Sequence, residues 1–231
     1  MTGALQAIVF DFDGVIANSE PLHLTAFQQV LAEDGILLTR SEYYARYLGY
    51  DDVGMFEALG RDREEPMSAA RVSALVARKA ERMQLLLQDG SVLFPGAVDF
   101  IRAAAAAVPI AIASGARRHE IDEIIDAAGV SDLFATIVAA GDTPESKPSP
   151  APYRLAFERL RQHAGRKLEP GRSVAIEDSV WGLESARGAG LRLVGVTSSY
   201  RAEELPGAEL IVEGLRALTL PALDQLCARS S

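Results

Sequence analysis

Short runs of consecutive apolar residues recur along the chain and alternate with segments of helical periodicity. A run that is apolar at nearly every position is typical of a strand buried on both faces of a sheet. Five such runs predict strands at Ala7–Phe10, Pro109–Ala113, Ala135–Ala139, Ser173–Glu177 and Arg192–Thr197. Because helical segments separate these strands, the pattern indicates a parallel sheet that is covered by helices on both sides.

The helical segments between the strands have recognisable ends. Gly129 and Gly190 each follow such a segment, at the position that glycine often takes just beyond a helix C-terminus. Four crossover helices are predicted, at Ala97–Ala107, Arg117–Ala128, Ala151–His163 and Val180–Gly188.

The interval 18–92 departs from this alternation because it contains no convincing strand. Its pattern predicts four helices, at Pro21–Glu33, Ser41–Leu48, Asp51–Leu59 and Pro66–Gln88. We therefore expect an α/β fold in which residues 1–17 and 93–231 form a core with a Rossmann-like parallel sheet. Residues 18–92 are expected to form a helical domain that is inserted after the first strand.

The composition argues against several kinds of partner. The 231 residues include 23 Lys and Arg against 32 Asp and Glu, and the net charge of −9 argues against nucleic acid or an anionic membrane surface. No apolar run approaches the ~20 residues of a membrane span, and no secretory leader is recognisable. The single cysteine, Cys227, rules out an internal disulfide framework. We expect a cytoplasmic protein, and the sequence leaves its oligomeric state open, a monomer included.

The sequence Asp11-Phe12-Asp13-Gly14 directly follows the first predicted strand. In an extended segment Asp11 and Asp13 lie on the same side, so their carboxylates point into one small volume. Such crowding of like charges is unfavourable unless a cation or a shared proton relieves it. The arrangement suits chemistry in which one carboxylate is a nucleophile and the other a general acid and base. The alternative is a simple turn that ends the strand at a glycine.

Three further polar motifs each follow a predicted strand. Ser114 and Gly115 offer a hydroxyl and free N–H groups that suit a phosphoryl oxygen, or that serve only to begin a helix. Lys147, before prolines at 148 and 150, could offset negative charge in a site or be a solvated turn residue. Glu177 and Asp178 end a buried strand, which implies a metal or a basic partner unless Asp178 only caps a helix. All these motifs lie where open α/β sheets bind ligands, and such oxygen ligands suit Mg²⁺.

With these motifs in this order, the chain resembles the haloacid dehalogenase-like superfamily of phosphohydrolases, specifically its β-phosphoglucomutase and phosphoglycolate phosphatase branch. The inserted helices resemble the cap of that branch, and the resemblance extends from residue 7 to about residue 197. It implies four catalytic residues: the nucleophile Asp11, the general acid and base Asp13, the phosphate-binding Ser114, and Lys147. It also implies a Mg²⁺ site formed by Asp11, Asp13 through its backbone carbonyl, Glu177 and Asp178.

The resemblance further implies that a phosphate ester is hydrolysed in two steps through an aspartyl-phosphate on Asp11. Dehalogenase and phosphonate-cleaving relatives lack an acid at the position of Asp13, so its presence favours a phosphate ester as substrate. A small phosphorylated metabolite is expected, such as a sugar phosphate or phosphoglycolate. A non-catalytic module that binds a phosphorylated ligand is a further hypothesis, under which an Asp11→Asn substitution would leave the biological role unchanged.

Hydrolysis and phosphate transfer within a sugar are the two main alternatives. The expected substrate-binding residues are His23, Gly115, Arg117 and Lys79, although Lys79 could instead be a solvated helix residue. His23 and Arg117 fall where the mutase has a hinge-side histidine and a basic phosphate contact. The mutase also has a phosphate-gripping arginine in a cap loop that reads Tyr50-Asp51-Asp52 here. Hydrolysis is therefore favoured, and the mutase is the alternative.

Overall fold

The protein consists of two compact units, which the computed structural model describes over residues 3–48, 50–88, 92–165 and 167–229. One unit comprises Met1–Asn18 and Val92–Ser231, and it contains all the strands described. The other comprises Ser19–Ser91, and its regular structure is helical. The first unit therefore carries all four polar motifs, and the second is the helical unit.

Parallel strands form the sheet of the first unit. In chain order they are β1 (Ala7–Phe10), β2 (Ile110–Ala113), β3 (Phe134–Val138), β4 (Ser173–Glu177), β5 (Arg192–Val196) and β6 (Leu210–Val212). Their order in the sheet is β3-β2-β1-β4-β5-β6, and each neighbouring pair is parallel. The predicted α/β fold with a Rossmann-like parallel sheet is confirmed. The short edge strand β6 has only three residues, partly exposed, and the apolar pattern does not predict it.

The helical unit contains the four helices expected in this interval. They are α1 (Glu20–Glu33), α2 (Arg40–Arg46), α3 (Asp52–Asp62) and α4 (Ala69–Gln88). Side-chain caps set two of their starts, since Thr39 Oγ1 accepts from the N–H of Glu42 and Asp51 Oδ1 accepts from the N–H of Gly54. In the apolar core of the unit, the rings of Phe27 and Phe56 lie edge to face with centroids 5.2 Å apart.

The helices of the α/β unit are α5 (Ala97–Ala107), α6 (Arg118–Ala127), α7 (Ala151–Ala164), α8 (Val180–Gly188) and α9 (Leu220–Ala228). The first four confirm the predicted crossover helices. Gly129 and Gly190 follow α6 and α8 with φ of +63° and +81°, the left-handed conformation that favours glycine. In the part of the chain that the structure describes, no helix combines the length and the apolar character needed to cross a membrane.

Both faces of β1 are covered, which explains why all its residues are apolar and buried. Val9 belongs to a cluster on one face that includes Phe157 of α7. On the other face, the ring of Phe10 packs edge to face on Phe100 and Phe134, at centroid distances of 6.1 and 6.2 Å. The strand is thereby fixed at the centre of the sheet.

The strand order reverses beside β1, because β2 and β3 lie on one side and β4 to β6 on the other. Open α/β sheets bind ligands in the crevice at such a point. Phe10 lies opposite Ile176 in the pairing of β1 with β4. The residues that follow these positions, Asp11 and Glu177, are therefore neighbours at the C-terminal edge of the sheet.

Candidate active site

Asp11 lies at the end of β1 with its carboxylate buried. Its N–H donates to the carbonyl oxygen of Ile176 at 2.9 Å, which extends the pairing of β1 with β4. The residue is only 7% exposed, and its Oδ1 lies 2.8 Å from Nζ of Lys147. The backbone of the sheet thus fixes this carboxylate beside an ammonium group.

A tight turn follows Asp11 and contains Asp13, which is partly buried. The carbonyl oxygen of Phe12 accepts from the N–H groups of Ile16 and Ala17, at 2.8 and 3.0 Å. Gly14 has a φ of +80°, and a Cβ there would lie 1.8 Å from an oxygen of Asp178. Glycine at position 14 therefore lets the first acidic motif approach the second.

Lys147 lies in the segment before α7 and connects two acids. Its Nζ is 2.8 Å from Oδ1 of Asp11 and 2.6 Å from Oε1 of Glu177, and its side chain is 14% exposed. The ring of Tyr153 lies on another side of the ammonium, with its centroid 5.1 Å away. The structure thus places Lys147 against Asp11 and not in a solvated turn.

The acids that follow β4 complete a buried cluster. One oxygen each of Asp11, Glu177 and Asp178 can be chosen so that all three lie within 4.8 Å of one another. Ser179 is the residue that caps α8, because its Oγ accepts from the N–H of Gly182 at 3.1 Å. The alternative that Asp178 only caps this helix is therefore wrong.

The cluster carries more negative charge than Lys147 can neutralise. Burial, followed by repulsion from Glu177, raises the pKa of Asp11 well above its usual value. The same two causes raise the pKa of Asp178 to about 7. Burial by itself would lower the pKa of Lys147, but the charges of Asp11 and Glu177 outweigh burial and raise it. A small divalent cation that prefers oxygen ligands fits this set of donors.

Ser114, Gly115 and Arg117 follow β2, the strand next to β1. Phe10 lies opposite Ile112, so these residues lie at the sheet edge that holds Asp11. The Oγ of buried Ser114 accepts from the N–H of Ala116 at 3.0 Å, Gly115 is exposed, and Arg117 precedes α6. Their contact with a phosphate group stays a prediction.

Known proteins match the chain over most of its length. A family model described as haloacid dehalogenase-like hydrolase matches residues 5–190. The chain belongs to the haloacid dehalogenase-like hydrolases. Within this family, it is 33% identical over 231 residues to Protein CbbY of Rhodobacter capsulatus, in a match that covers 96% of this chain and 99% of that protein.

Two solved structures and one phosphatase are also similar to this haloacid dehalogenase-like hydrolase. CbbY of Rhodobacter sphaeroides in complex with phosphate aligns with a TM-score of 0.82 and 31% identity, over 95% of this chain and 99% of that one. A variant of it in complex with xylulose-(1,5)bisphosphate aligns with the same TM-score and coverage at 30% identity. Phosphoglycolate phosphatase of Pectobacterium atrosepticum is 28% identical over 199 residues, which are 85% of this chain and 82% of that protein. The chain is therefore a phosphoric monoester hydrolase, and its resemblance to the β-phosphoglucomutase and phosphoglycolate phosphatase branch is confirmed.

In the helical unit of this hydrolase, the predicted substrate-binding residues His23 and Lys79 are in contact. Lys79 is fully buried, so it is not a solvated helix residue. Its Nζ lies 2.8 Å from Oδ1 of Asp52 and 2.8 Å from Nδ1 of His23. Because an ammonium group is only a donor, Nδ1 of His23 accepts and Nε2 carries the proton of the neutral ring. Asp51 caps α3 and Asp52 pairs with Lys79, so both acids of this loop have structural partners.

Two residues at the C-terminal edge of the sheet, Tyr153 and Ser199, were not predicted from the sequence. The hydroxyl of Tyr153 donates to Oε1 of Glu177 at 3.0 Å. On α7 this tyrosine shares a buried face with Phe157 and Leu160, so the pattern marks it only as a core residue. Ser199 hydrogen-bonds Asp178 and lowers its pKa in part. Ser199 lies two residues beyond the predicted strand Arg192–Thr197, and that position was the available signal.

Proposed function

We propose that this hydrolase is a Mg²⁺-dependent phosphatase that acts on a small phosphorylated sugar or a related metabolite. The observation that most directly supports the proposal is the 2.8 Å contact of Asp11 with Lys147 inside a buried acidic cluster. An ammonium group in this position offsets the charge that accumulates when a carboxylate attacks a phosphoryl group. The relatives named above support the substrate class, since one is a phosphoglycolate phosphatase and one binds a pentulose bisphosphate.

In the first step, an oxygen of Asp11 attacks phosphorus in line, and the bond from phosphorus to the ester oxygen breaks. Asp13 gives its proton to the leaving oxygen, so that a free alcohol and an aspartyl-phosphate on Asp11 result. Lys147 offsets charge beside the reacting oxygen of Asp11. The hydroxyl of Ser114 and the N–H of Gly115 would donate to the equatorial phosphoryl oxygens.

In the second step, water attacks phosphorus and gives a proton to Asp13. The bond between phosphorus and Asp11 breaks, which releases inorganic phosphate and restores the carboxylate of Asp11. Asp13 is thus an acid in the first step and a base in the second, and it returns to its protonated state at the end. Arg117, at the same sheet edge, would bind the substrate, whereas a substrate contact for His23 and Lys79 of the helical unit stays a prediction.

Asp11, Asp178 and the backbone carbonyl of Asp13 would hold the Mg²⁺ ion, with Glu177 in the same acidic group. When bound, the ion supplies positive charge that stabilises the equatorial phosphoryl oxygens. The fit rests on the donor set, which consists of oxygens, is buried and exceeds in charge what Lys147 can neutralise.

The test is the release of inorganic phosphate from a panel of sugar monophosphates, sugar bisphosphates and phosphoglycolate, with Mg²⁺ and with a chelator. We expect Mg²⁺-dependent release from one or a few of these compounds. An Asp11→Asn variant is expected to show no detectable turnover and an unchanged circular dichroism spectrum, because an amide is not a competent nucleophile. The matched control is Asp126→Asn, at an exposed acid of α6, which should keep the wild-type rate.

Three outcomes would contradict the proposal. Near wild-type phosphate release by the Asp11→Asn variant would exclude Asp11 as the nucleophile. β-Glucose 1-phosphate that gives glucose 6-phosphate only with a bisphosphate primer, and no free phosphate, would identify the mutase activity instead. No turnover of any compound, together with binding of a phosphorylated ligand, would point to the non-catalytic module.

A further inference from the structure

The carboxylate of Glu177 is surrounded by donors from the protein itself. The side chain is completely buried, and Oε1 accepts from Nζ of Lys147 at 2.6 Å and from the hydroxyl of Tyr153 at 3.0 Å. Oε2 accepts from the N–H groups of Asp178 and Ser179 and from the Ser179 hydroxyl, at 3.0, 3.1 and 2.9 Å. A carboxylate offers about four lone-pair sites. These five donors fix the orientation of the Glu177 carboxylate, which acts on the groups that it contacts.

The first turn of α8 provides the space for this carboxylate. A Cβ on Gly182 would lie 1.7 Å from Oε1 and 1.8 Å from Cδ of Glu177, so a larger residue would displace the group. One helical turn later, the hydroxyl of Ser185 donates to the carbonyl oxygen of Ser149 at 2.6 Å, which ties α8 to the segment that carries Lys147. The N-terminus of α8 also favours a negative charge at this position. Glu177 is thus fixed from β4 and from α8.

Tyr153 adds a contact from α7. It is fully buried, its hydroxyl donates to the same oxygen of Glu177 that faces Lys147, and its ring centroid lies 5.1 Å from the ammonium. The ammonium itself is shared between Glu177, at 2.6 Å, and Asp11, at 2.8 Å. A hydroxyl that donates to Oε1 weakens the attraction of that oxygen for Lys147, and the ring restricts where the ammonium can move.

We infer that Tyr153 is a positioning residue that acts through Glu177 to keep the Lys147 ammonium directed at Asp11. Without the hydroxyl, Oε1 of Glu177 attracts Lys147 more strongly, and the ammonium moves away from the oxygen that receives the phosphoryl group. The inference rests on the proposed function, because it takes Lys147 as the group that offsets charge during transfer.

The test is a Tyr153→Phe variant, which removes one oxygen atom and keeps the ring. We expect kcat for phosphate release to fall about tenfold, the effect of one hydrogen bond, with a smaller rise in KM. Because the hydroxyl does not contact Asp11 or Asp178 directly in the described hydrogen bonds, the Kd for Mg²⁺ measured by calorimetry should stay within about twofold of wild type.

The matched control is Tyr47→Phe in the helical unit. The hydroxyl of Tyr47, also buried, donates to Asp62 at the same distance of 3.0 Å. Both variants should lower the melting temperature to a similar extent, whereas only Tyr153→Phe should lower kcat. A purely structural role for Tyr153 predicts that the two variants behave alike, and this result would overturn the inference.

The dependence on Lys147 is tested by calorimetric binding of inorganic phosphate, which needs no turnover. Tyr153→Phe should weaken phosphate binding when Lys147 is present and should have no further effect in a Lys147→Met background, or in Lys147→Gln if the former does not fold. Equal weakening in both backgrounds, or a Kd for Mg²⁺ that rises as kcat falls, would overturn the inference. A wild-type protein that releases no phosphate from any substrate would instead contradict the proposed function, so the two failures are distinguishable.

Discussion

Removal of the Lys79 ammonium is expected to lower the free energy of unfolding by about 3 kcal/mol. In the helical unit this group is fully buried, 2.8 Å from Oδ1 of Asp52 and 2.8 Å from Nδ1 of His23. A Lys79→Met substitution removes the charge and keeps an unbranched apolar side chain of similar length. It therefore tests the charge and leaves most of the packing intact.

The magnitude follows from the geometry of the pair. At 2.8 Å and an effective dielectric constant of about 20, two unit charges attract by about 6 kcal/mol. Desolvation offsets most of this in the intact pair, and losing one partner of a buried pair costs about 3–5 kcal/mol. Asp52 is 10% exposed at its side chain and lies in the first turn of α3, where the helix dipole favours its charge. For Lys79→Met we therefore expect a loss in the free energy of unfolding near the lower limit of this range, about 3 kcal/mol.

Urea unfolding of Lys79→Met, Asp52→Asn and the double variant measures the coupling of the pair. Far-ultraviolet circular dichroism follows the helices of both units. Fluorescence of the single tryptophan, Trp181 on α8, follows the α/β unit. The exposed pair of Arg82 with Glu33, at 2.9 Å, supplies the control Arg82→Met, which should change the free energy by less than about 1 kcal/mol.

The double variant should be destabilised by about 2 kcal/mol less than the sum of the two single effects, because each single variant already removes the interaction of the pair. Additivity to within about 0.5 kcal/mol would refute the reasoning, since it would mean that Lys79 and Asp52 do not stabilise each other. A loss for Lys79→Met no larger than that of the Arg82→Met control would refute it as well.

Two further results are expected from the catalytic unit. Gly182→Ala should lower kcat about tenfold or more, because its Cβ would lie 1.7 Å from Oε1 of Glu177. Steady-state kinetics would test this. The control is Gly171→Ala, because a Cβ at that position meets open space. In metal-free protein, Asp178 has a pKa of about 7 against a usual 3.8, so the folded state binds more protons than the unfolded state between these values. Its contribution to the melting temperature should fall as pH rises from about 4 to 7. The Kd for Mg²⁺ should fall about tenfold per pH unit below about pH 6 and level off above about pH 7. A Kd for Mg²⁺, measured by calorimetry, that does not vary with pH would contradict the expectation for Asp178.

The catalytic edge of the sheet was predictable because its signals are local. Asp11, Ser114 and Glu177 each follow an apolar run directly, and parallel strands place such positions at one edge regardless of loop details. The strand and helix ends were predicted to within a few residues for the same reason. The C-terminal helix α9 also has local signals that could have been used, since Thr219 caps it and Pro221 lies in its first turn.

The contacts that set electrostatics were not predictable, because they join residues far apart in sequence. Lys79 meets Asp52 and His23 from different helices, and an isolated lysine in a helical pattern gives no sign that it is buried. Tyr153 likewise follows the period of a core face, and only the fold shows that its hydroxyl reaches Glu177. Helical periodicity indicates which face of a helix is buried. It does not indicate which polar atoms of other elements contact that face.

The central position of β1 affects how the protein forms on the ribosome. Its Ile8 pairs with Ile110 in β2 and with Val174 in β4, so both partner strands are made much later than β1 itself. At a synthesis rate of about 5–20 residues per second, β1 precedes β2 by about 5–20 s. The helical unit, whose contacts are more local, is made and can fold during this interval. A chaperone that binds short apolar stretches therefore has seconds in which to bind nascent Ala7–Phe10 before the sheet can close around it.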